Sequence, residues 1–233
     1  MKTIGLIGGM SWESTVTYYK TINKVVREQL GGLHSAKILL YSVDFSEIEE
    51  YQSKGDWNTC AEILSRAARN LEKSGADFIV ICTNTMHKVV PLIEKQIMIP
   101  ILHIADATAA ELKKASIQKV ALLGTKYTML QDFYKQKLVE KGIEVIIPND
   151  SDIEVVNLII YSELCLGNIS CSSKKEYLRI IDELSQRGAQ AIILGCTEIG
   201  LLIEQNDTKV LLFDTAEIHA VNAAMHSIHL KNI

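Results

Sequence analysis

Short apolar runs rich in β-branched residues alternate along this chain with longer segments in which apolar residues recur at helical spacing. Continuous apolar strands that alternate with helices are typical of a parallel sheet covered by helices on both faces. The sequence therefore predicts an α/β fold. The predicted strands are residues 3–7, 36–42, 78–81, 101–104, 120–123, 144–147, 191–194 and 210–213, and the clearest predicted helices are residues 12–30, 57–73, 86–95, 105–114, 129–141 and 174–187.

The strand pattern occurs twice in the same order. Residues 4–8 resemble residues 120–124, residues 74–83 resemble residues 187–197, and residues 101–106 resemble residues 210–214. Chance similarity between short apolar runs is the alternative, and three ordered matches argue against it. We expect two similar α/β domains, formed by residues 1–104 with 212–233 and by residues 105–211. Ligands of such sheets bind beyond the carboxyl ends of the strands, so the segments that follow the strands are the candidates for a site.

Composition narrows the class of protein. The chain has 24 basic and 28 acidic residues among 233, and this balance predicts no nucleic-acid partner, which would need a concentrated basic face. No apolar run is long enough to span a membrane, and the N-terminus does not resemble a signal peptide. The five cysteines form neither CxxC pairs nor clusters with histidine, so neither a disulfide framework nor a metal site is predicted. We expect a cytoplasmic globular protein.

The first candidate motif is Gly-Gly-Met-Ser at residues 8–11, between a predicted strand and a predicted helix. A glycine turn at this place lets backbone N–H groups approach an anion. The motif is neither GxGxxG nor a P-loop, so it does not indicate a dinucleotide or a nucleoside triphosphate. Carboxylate binding and a merely tight turn remain equal alternatives.

Two further motifs lie at strand-to-helix junctions: Cys-Thr-Asn-Thr-Met-His at residues 82–87 and Gly-Cys-Thr-Glu at residues 195–198. Either could be a capped helix that follows a buried cysteine. A cysteine at a helix N-terminus is expected to have a lowered pKa, which would make it a base or a nucleophile. The occurrence of the arrangement at equivalent places in both halves favours a functional role.

These motifs, with Gly-Gly-Met ahead of them, resemble the aspartate/glutamate racemase family over essentially the whole chain, and most closely a bacterial subgroup with Cys-Thr-Asn-Thr in the first motif. The resemblance implies two pseudo-symmetric α/β domains with the active site in the interdomain cleft. It also implies a homodimer that needs neither pyridoxal phosphate nor a metal ion. The implied activity is racemisation of aspartate or glutamate, or of a broader range of amino acids.

Racemisation removes a proton from one face of Cα and returns it to the other, so it needs two acid/base groups. The resemblance assigns these catalytic roles to Cys196 and to the residue at position 83. Backbone or side-chain groups in both motifs, in the glycine turn and just before the predicted helix 57–73 are expected to bind the substrate. The substrate-binding candidates are Met10, Gln52, Asn84, Thr85 and Thr197.

The first motif departs from the family at its catalytic position. The family pattern is Cys-Asn-Thr, and the ungapped alignment places Thr83 where the cysteine belongs. A threonine hydroxyl is too weak an acid to act as a general base near neutral pH, although it can position a proton or a water. A one-residue slip would make Cys82 the acid/base instead, but strand alternation directs Cys82 to the other side. Both alternatives stay open.

The basic residues that bind a substrate side-chain carboxylate in this family are also missing. Residues 44–52 are acidic rather than basic, and Cys165 takes the place of a lysine in a Glu-Leu-Lys-x-Gly segment. Lys126 or His87 could replace them, although a solvated surface role and a helix-cap role are the simpler interpretations. The cysteines Cys60, Cys165 and Cys171 are interpreted as packing or surface residues.

Two other functions fit the same residues. A dicarboxylate isomerase or decarboxylase could use the same thiol. An amino-acid-binding protein with impaired catalysis would explain the loss of a cysteine at Thr83.

Overall fold

The computed structural model describes residues 1–228. These residues form two compact units, residues 1–103 with 219–228, and Ile104–Ile218. Each unit contains one parallel sheet of four strands, and no helix in the described part of the chain is long and apolar enough to cross a membrane.

The first unit carries a sheet with the strand order β2 (Ile38–Ser42), β1 (Ile4–Gly8), β3 (Phe78–Ile81) and β4 (Ile101–Leu102), in which every pairing is parallel. The central strands β1 and β3 are completely buried, as their continuous apolar sequences predict. The elements are β1 (Ile4–Gly8), α1 (Trp12–Leu30), β2 (Ile38–Ser42), α2 (Phe45–Ser53), α3 (Trp57–Lys73), β3 (Phe78–Ile81), a 3₁₀ helix (Thr85–Val89), α4 (Val90–Ile93), a second 3₁₀ helix (Glu94–Gln96) and β4 (Ile101–Leu102).

The second unit repeats this topology with the strand order β6 (Glu144–Ile146), β5 (Lys119–Leu123), β7 (Ala191–Leu194) and β8 (Leu211–Asp214), again entirely parallel. The predicted α/β fold with two similar parallel sheets is therefore confirmed. The elements are α5 (Ile104–Lys114), β5 (Lys119–Leu123), α6 (Lys126–Leu130), α7 (Asp132–Val139), β6 (Glu144–Ile146), α8 (Asp150–Ser162), a 3₁₀ helix (Leu164–Leu166), α9 (Cys171–Gln186), β7 (Ala191–Leu194), α10 (Ile199–Leu202), a 3₁₀ helix (Gln205–Asp207), β8 (Leu211–Asp214) and α11 (Thr215–Ile228), whose last residues belong to the first unit.

The predicted division of the chain differs from the observed one near its end. The sequence pattern places residues 212–218 in the first domain, but β8 pairs with β7, so these residues belong to the second unit. The chain returns to the first unit only at His219, within α11. Residues 229–233 of the predicted first domain lie outside the described residues.

Two predicted helices are interrupted. The segment 86–95 is a 3₁₀ helix, a single α-turn and another 3₁₀ helix, because Pro91 has no N–H and starts a new turn instead of continuing the preceding one. The segment 129–141 is divided between α6 and α7 by Gln131, whose backbone is extended. Helices α2, α8, α10 and α11 are additional to the clearest predicted helices.

Gly9 allows the turn after β1 to lie directly against the chain that leaves β2. Its φ is +92°, and a Cβ at this position would overlap the carbonyl oxygen of Val43. The Gly9 N–H donates to Thr15 Oγ1 at 2.8 Å. The structure thus favours the tight-turn interpretation at Gly9, because its N–H is already used within the fold.

We predict that Gly9→Ala destabilises the protein more than Gly75→Ala does. Gly75 has a similar φ of +95°, but no atom lies within 4 Å of the position that a Cβ would occupy there. The Gly75 variant therefore isolates the backbone strain, which costs about 1–2 kcal/mol at either position. The overlap at Gly9 should add on the order of 1–3 kcal/mol. Urea unfolding of both variants measures the difference, and equal destabilisation would contradict the close approach to Val43.

Candidate functional site

The first motif begins where β3 ends. The Cys82 N–H donates to the carbonyl of Ile7 at 2.9 Å, which continues the pairing of β3 with β1 by one residue. Thr83 is the one partly exposed residue between 82 and 87, whereas Cys82, Asn84 and Thr85 are buried. Burial raises the pKa of the Cys82 thiol far above its ordinary value. Of the two candidates in this motif, Thr83 is thus the one with access to solvent.

Asn84 and Thr85 begin a 3₁₀ helix rather than the predicted longer helix. Asn84 is its N-cap residue, but its side chain makes no capping hydrogen bond. His87 lies within this short helix, and its Nδ1 donates to the carbonyl of Thr83 at 2.8 Å. His87 thus contacts backbone of the same motif.

Met10 and Gln52 are the other substrate-binding candidates of the first unit. Along the chain they follow β1 and β2, which are neighbours in the sheet. Met10 is 3% exposed and packs in the apolar core with Ile7 and Ile48, so its backbone rather than its side chain is available for a ligand. Gln52 is buried on α2. Ser11, which follows Met10, is the N-cap residue of α1 and accepts from the Ser14 N–H.

A carboxylate that the sequence interpretation overlooked lies beside the glycine turn. Glu13 is in the first turn of α1, and its Oε2 is buried without a hydrogen-bond partner within the described residues. A buried carboxylate oxygen without a partner is unfavourable unless a ligand or an ion satisfies it. The signal in the sequence was an acidic residue shortly after a glycine turn, which the helix-start rule explains equally well.

The second motif begins where β7 ends. The Gly195 N–H donates to the carbonyl of Leu123 at 2.6 Å, and a Cβ on Gly195 would lie 2.7 Å from the same oxygen. Only glycine allows the backbone leaving β7 to approach β5 this closely. The close approach sets the position of Cys196, the next residue.

Cys196 and Glu198 form a hydrogen-bonded pair. Cys196 Sγ donates to Glu198 Oε2 at 2.9 Å, and the Thr197 hydroxyl donates to the same oxygen at 2.9 Å. All three residues are buried, with Cys196 8% exposed. The hydroxyl of Thr197 therefore orients the carboxylate, and Glu198 is a functional candidate that sequence analysis quoted but did not assign.

The predicted lowering of the Cys196 pKa is wrong. Burial raises the pKa of this thiol well above its ordinary value, and the negative charge of Glu198 raises it further. The helix that follows, α10, has only four residues and provides little dipole to oppose these effects. The resting form is thus a thiol whose proton points at a carboxylate, an arrangement suited to transferring that proton.

Asp214 supports the segment behind this pair. It ends β8, accepts from the N–H groups of Ala216 and Glu217, and lies against Gly200 of α10, where any side chain would overlap its carboxyl group. Burial raises the pKa of Asp214 to about 6. The small residue at 200 is therefore required by packing.

The remaining candidates from the sequence are three cysteines and Lys126. Cys165 is partly buried against the core that contains Cys196 and is close enough to influence the pKa of its thiol. Cys60 is buried and Cys171 is exposed. Lys126 Nζ lies 2.5 Å from Glu154 Oε2, so the charge of this lysine is paired at the surface. Within residues 1–228, no group of three or more His, Cys, Asp or Glu side chains could hold a metal ion.

Comparisons with known proteins agree on one family. The sequence profile of the Asp/Glu/hydantoin racemases matches residues 7–223. The broad specificity amino-acid racemase RacX of Bacillus subtilis (strain 168) is 24% identical over 216 residues, which cover 91% of this chain and 92% of that protein.

Two solved structures are similar over nearly the whole chain. A crystal structure from Yersinia pestis, provisionally assigned as an Asp/Glu racemase, has a TM-score of 0.91 and 59% identity, covering 98% of this chain and 100% of that chain. An aspartate racemase homologue from Pyrococcus horikoshii OT3 has a TM-score of 0.85 and 40% identity, with coverage of 98% and 100%.

We predict that Glu198→Gln lowers the pKa of the Cys196 thiol. A neighbouring negative charge disfavours the thiolate, so removing that charge allows the thiol to ionise at lower pH, while glutamine can still accept its hydrogen bond. The pH dependence of Cys196 alkylation, followed by peptide mass spectrometry, measures the shift. Glu154→Gln makes the same charge change at the surface and should leave the profile unchanged. A shift to higher pH in Glu198→Gln would refute the charge argument.

Proposed function

Because this chain belongs to the Asp/Glu/hydantoin racemase family, we propose that it is a cofactor-independent amino-acid racemase in which Cys196 and Glu198 exchange the Cα proton on one face of the substrate. The observation that carries this proposal is the hydrogen bond from the Cys196 thiol to the Glu198 carboxylate in a buried site. A cytoplasmic location, predicted from the composition, and a homodimer, implied by the family resemblance, stay predictions.

The pair supports proton transfer in both directions. Glu198 takes the thiol proton, and the resulting thiolate takes the proton from Cα, leaving a carbanion that the substrate carboxylate delocalises. In the reverse direction the protonated thiol returns its proton to Cα, and the resulting thiolate takes back the proton that Glu198 holds, so the carboxylate is again ionised. Positioning and preorganised dipoles must supply most of the stabilisation, because no electron sink is covalently attached to the substrate.

Thr83 is proposed as the group for the other face. Its partial exposure supports this role, because a hydroxyl with access to solvent can relay a proton from water. Its hydroxyl cannot act as a strong base, so proton return at this face is expected to be the slower step. Cys82 is the less suitable alternative because its thiol is completely buried.

The ammonium group and the α-carboxylate of the substrate are assigned to different residues. We assign the substrate ammonium to the unsatisfied Glu13 oxygen and the α-carboxylate to the motif backbone at Asn84 and Thr85, with Thr197 holding Glu198 in place. Met10 is proposed to contribute through its backbone. Cys165 stands where a lysine is expected and Gln52 carries no charge, which supports a range broader than acidic amino acids alone. Aspartate and glutamate remain within that range.

We predict that Cys196→Ala abolishes both exchange of the Cα proton and racemisation, by at least about 10³-fold, because no other group replaces the thiol. Cys82→Ala should keep activity and lose on the order of 1 kcal/mol of stability. Proton NMR of each enantiomer of aspartate, glutamate and neutral amino acids in D₂O provides the measurement, with a chelator and a carbonyl reagent present in parallel samples.

The same spectra separate the rival functions. Saturable binding without exchange by the unmodified protein would indicate a binding protein. Replacement of the substrate signals by those of a product without the carboxylate would indicate a decarboxylase. Cessation of exchange in Cys82→Ala at unchanged stability would assign the chemistry to Cys82.

We predict that Glu13→Gln raises KM about tenfold or more while kcat changes by less than about threefold, because it weakens a charged hydrogen bond made equally in the ground and transition states. Thermal stability should be unchanged or higher, since the buried Oε2 of this carboxylate has no hydrogen-bond partner in the described part of the chain. Glu28→Gln, an exposed change on the same helix, is the control. An unchanged KM would remove Glu13 from the substrate site.

A further inference from the structure

Three histidines lie together beneath the first motif. The rings of His87 and His103 have centroids 4.6 Å apart, and those of His87 and His219 are 5.7 Å apart. His87 and His219 are buried, at 1% and 0% exposure. They bring together the end of β3, the end of β4 and the helix α11.

Hydrogen bonds to backbone carbonyls determine which ring nitrogen of His219 and of His87 carries the proton. The carbonyl of Leu102 can only accept, so His219 carries its proton on Nε2, at 2.8 Å from that oxygen. Its Nδ1 is then an acceptor, and the Tyr18 hydroxyl donates to it at 2.9 Å. Burial, together with the neighbouring His87, lowers the pKa of His219 to about 3, which keeps this ring neutral.

His87 carries the opposite tautomer. Its Nδ1 lies 2.8 Å from the carbonyl of Thr83, which again can only accept, so the proton is on Nδ1. The ring is buried and packs against His103 and His219, so it has little room to follow the carbonyl if that carbonyl turns. The direction of the Thr83 carbonyl is thus imposed by a buried side chain four residues ahead.

The hydrogen bond from His87 to the Thr83 carbonyl also limits the conformation of Thr83. The peptide between Thr83 and Asn84 is trans and planar, so its N–H points to the side opposite the carbonyl, away from His87. With this plane set, ψ of Thr83 is set, and its β-branched side chain has few rotamers available. The orientation of the Thr83 hydroxyl therefore depends on the His87 bond.

We propose that His87 is a positioning residue, which holds the Thr83–Asn84 peptide and thereby aims the Thr83 hydroxyl at its face of the substrate. This inference rests on the proposed racemase function. It assigns His87 to the half of the reaction that Thr83 serves and not to the half that Cys196 serves.

The test separates inversion from exchange. In D₂O, Cys196 can exchange the Cα proton of one enantiomer without inversion, whereas inversion also requires the Thr83 face. His87→Gln moves the donor to the Nε2 position, and His87→Asn keeps one near Nδ1. We expect His87→Gln to slow inversion by about 10–100-fold and to change exchange of the faster enantiomer by less than about threefold, whereas His87→Asn inverts within about threefold of wild type.

Tyr18→Phe is the matched control, because it disturbs the same cluster without removing the bond to Thr83. It should leave the ratio of inversion to exchange unchanged. A parallel fall of inversion and exchange in His87→Gln, or wild-type inversion in that variant, would overturn the positioning role. Wild-type protein that neither exchanges nor inverts any amino acid would instead count against the proposed function itself.

A measurement on the unmodified protein does not depend on the folding of a variant. With ¹⁵N-labelled histidine, we expect the Nδ1–H tautomer for His87 and the Nε2–H tautomer for His219, with a coupling from His87 Nδ1 to the carbonyl carbon of Thr83. An Nε2–H tautomer of His87 would overturn the inference, because Nδ1 could then not donate to the Thr83 carbonyl.

Discussion

The parallel pairing of two fully buried strands in each sheet determines where polar groups of this protein can lie. β1 pairs with β3 and β5 pairs with β7, and Lys119 alone among their residues is not fully buried. Parallel strands leave the sheet at the same edge, so the segments that follow them are neighbours. The backbone contacts of Cys82 with Ile7 and of Gly195 with Leu123 continue each pairing by one residue. Both candidate motifs therefore begin at positions that backbone hydrogen bonds fix.

The burial that fixes these motifs also limits the charge that each can hold. The Cys196 thiol donates to the Glu198 carboxylate, and a thiolate beside that carboxylate would face both desolvation and repulsion, which raises the pKa of Cys196. His219 is neutral for the same reason. Any positive charge that a substrate brings to this pair would stabilise the thiolate that the unliganded site disfavours, so we expect substrate binding and activation of the thiol to be linked.

The sequence predicted the sheets better than it predicted the helices or the site. The buried strands are short β-branched runs bounded by polar residues, and all of them form where expected. Helix continuity failed at Pro91 and Gln131, where a local backbone preference outweighed the apolar spacing. Residues 212–218 were misassigned because the pattern identifies a strand but not the strand beside it.

The motifs were found from the sequence, but their chemistry depended on side-chain directions. The lowered pKa predicted for Cys196 assumed a helix dipole and exposure, whereas the helix has four residues and the thiol faces a carboxylate two residues later. Glu13 and His87 were visible only as residue types, because an unsatisfied oxygen and a bond to a carbonyl are properties of the folded chain.

An unequal pair of acid/base groups is compatible with a racemase, and thermodynamics limits where the inequality can be observed. Enantiomers of an amino acid with one stereocentre have equal free energies, so kcat/KM must be equal in the two directions whatever groups the protein uses. The inequality between a thiol–carboxylate pair at Cys196 and a hydroxyl at Thr83 can therefore make the two directions differ only in kcat and in KM taken separately. It can also determine whether exchange precedes inversion. If Thr83 limits the rate, the carbanion is repeatedly reprotonated by Cys196 before it inverts, and exchange outpaces racemisation. Any constraint that improves the aim of Thr83 raises the fraction of carbanions that invert without altering how often Cys196 forms them.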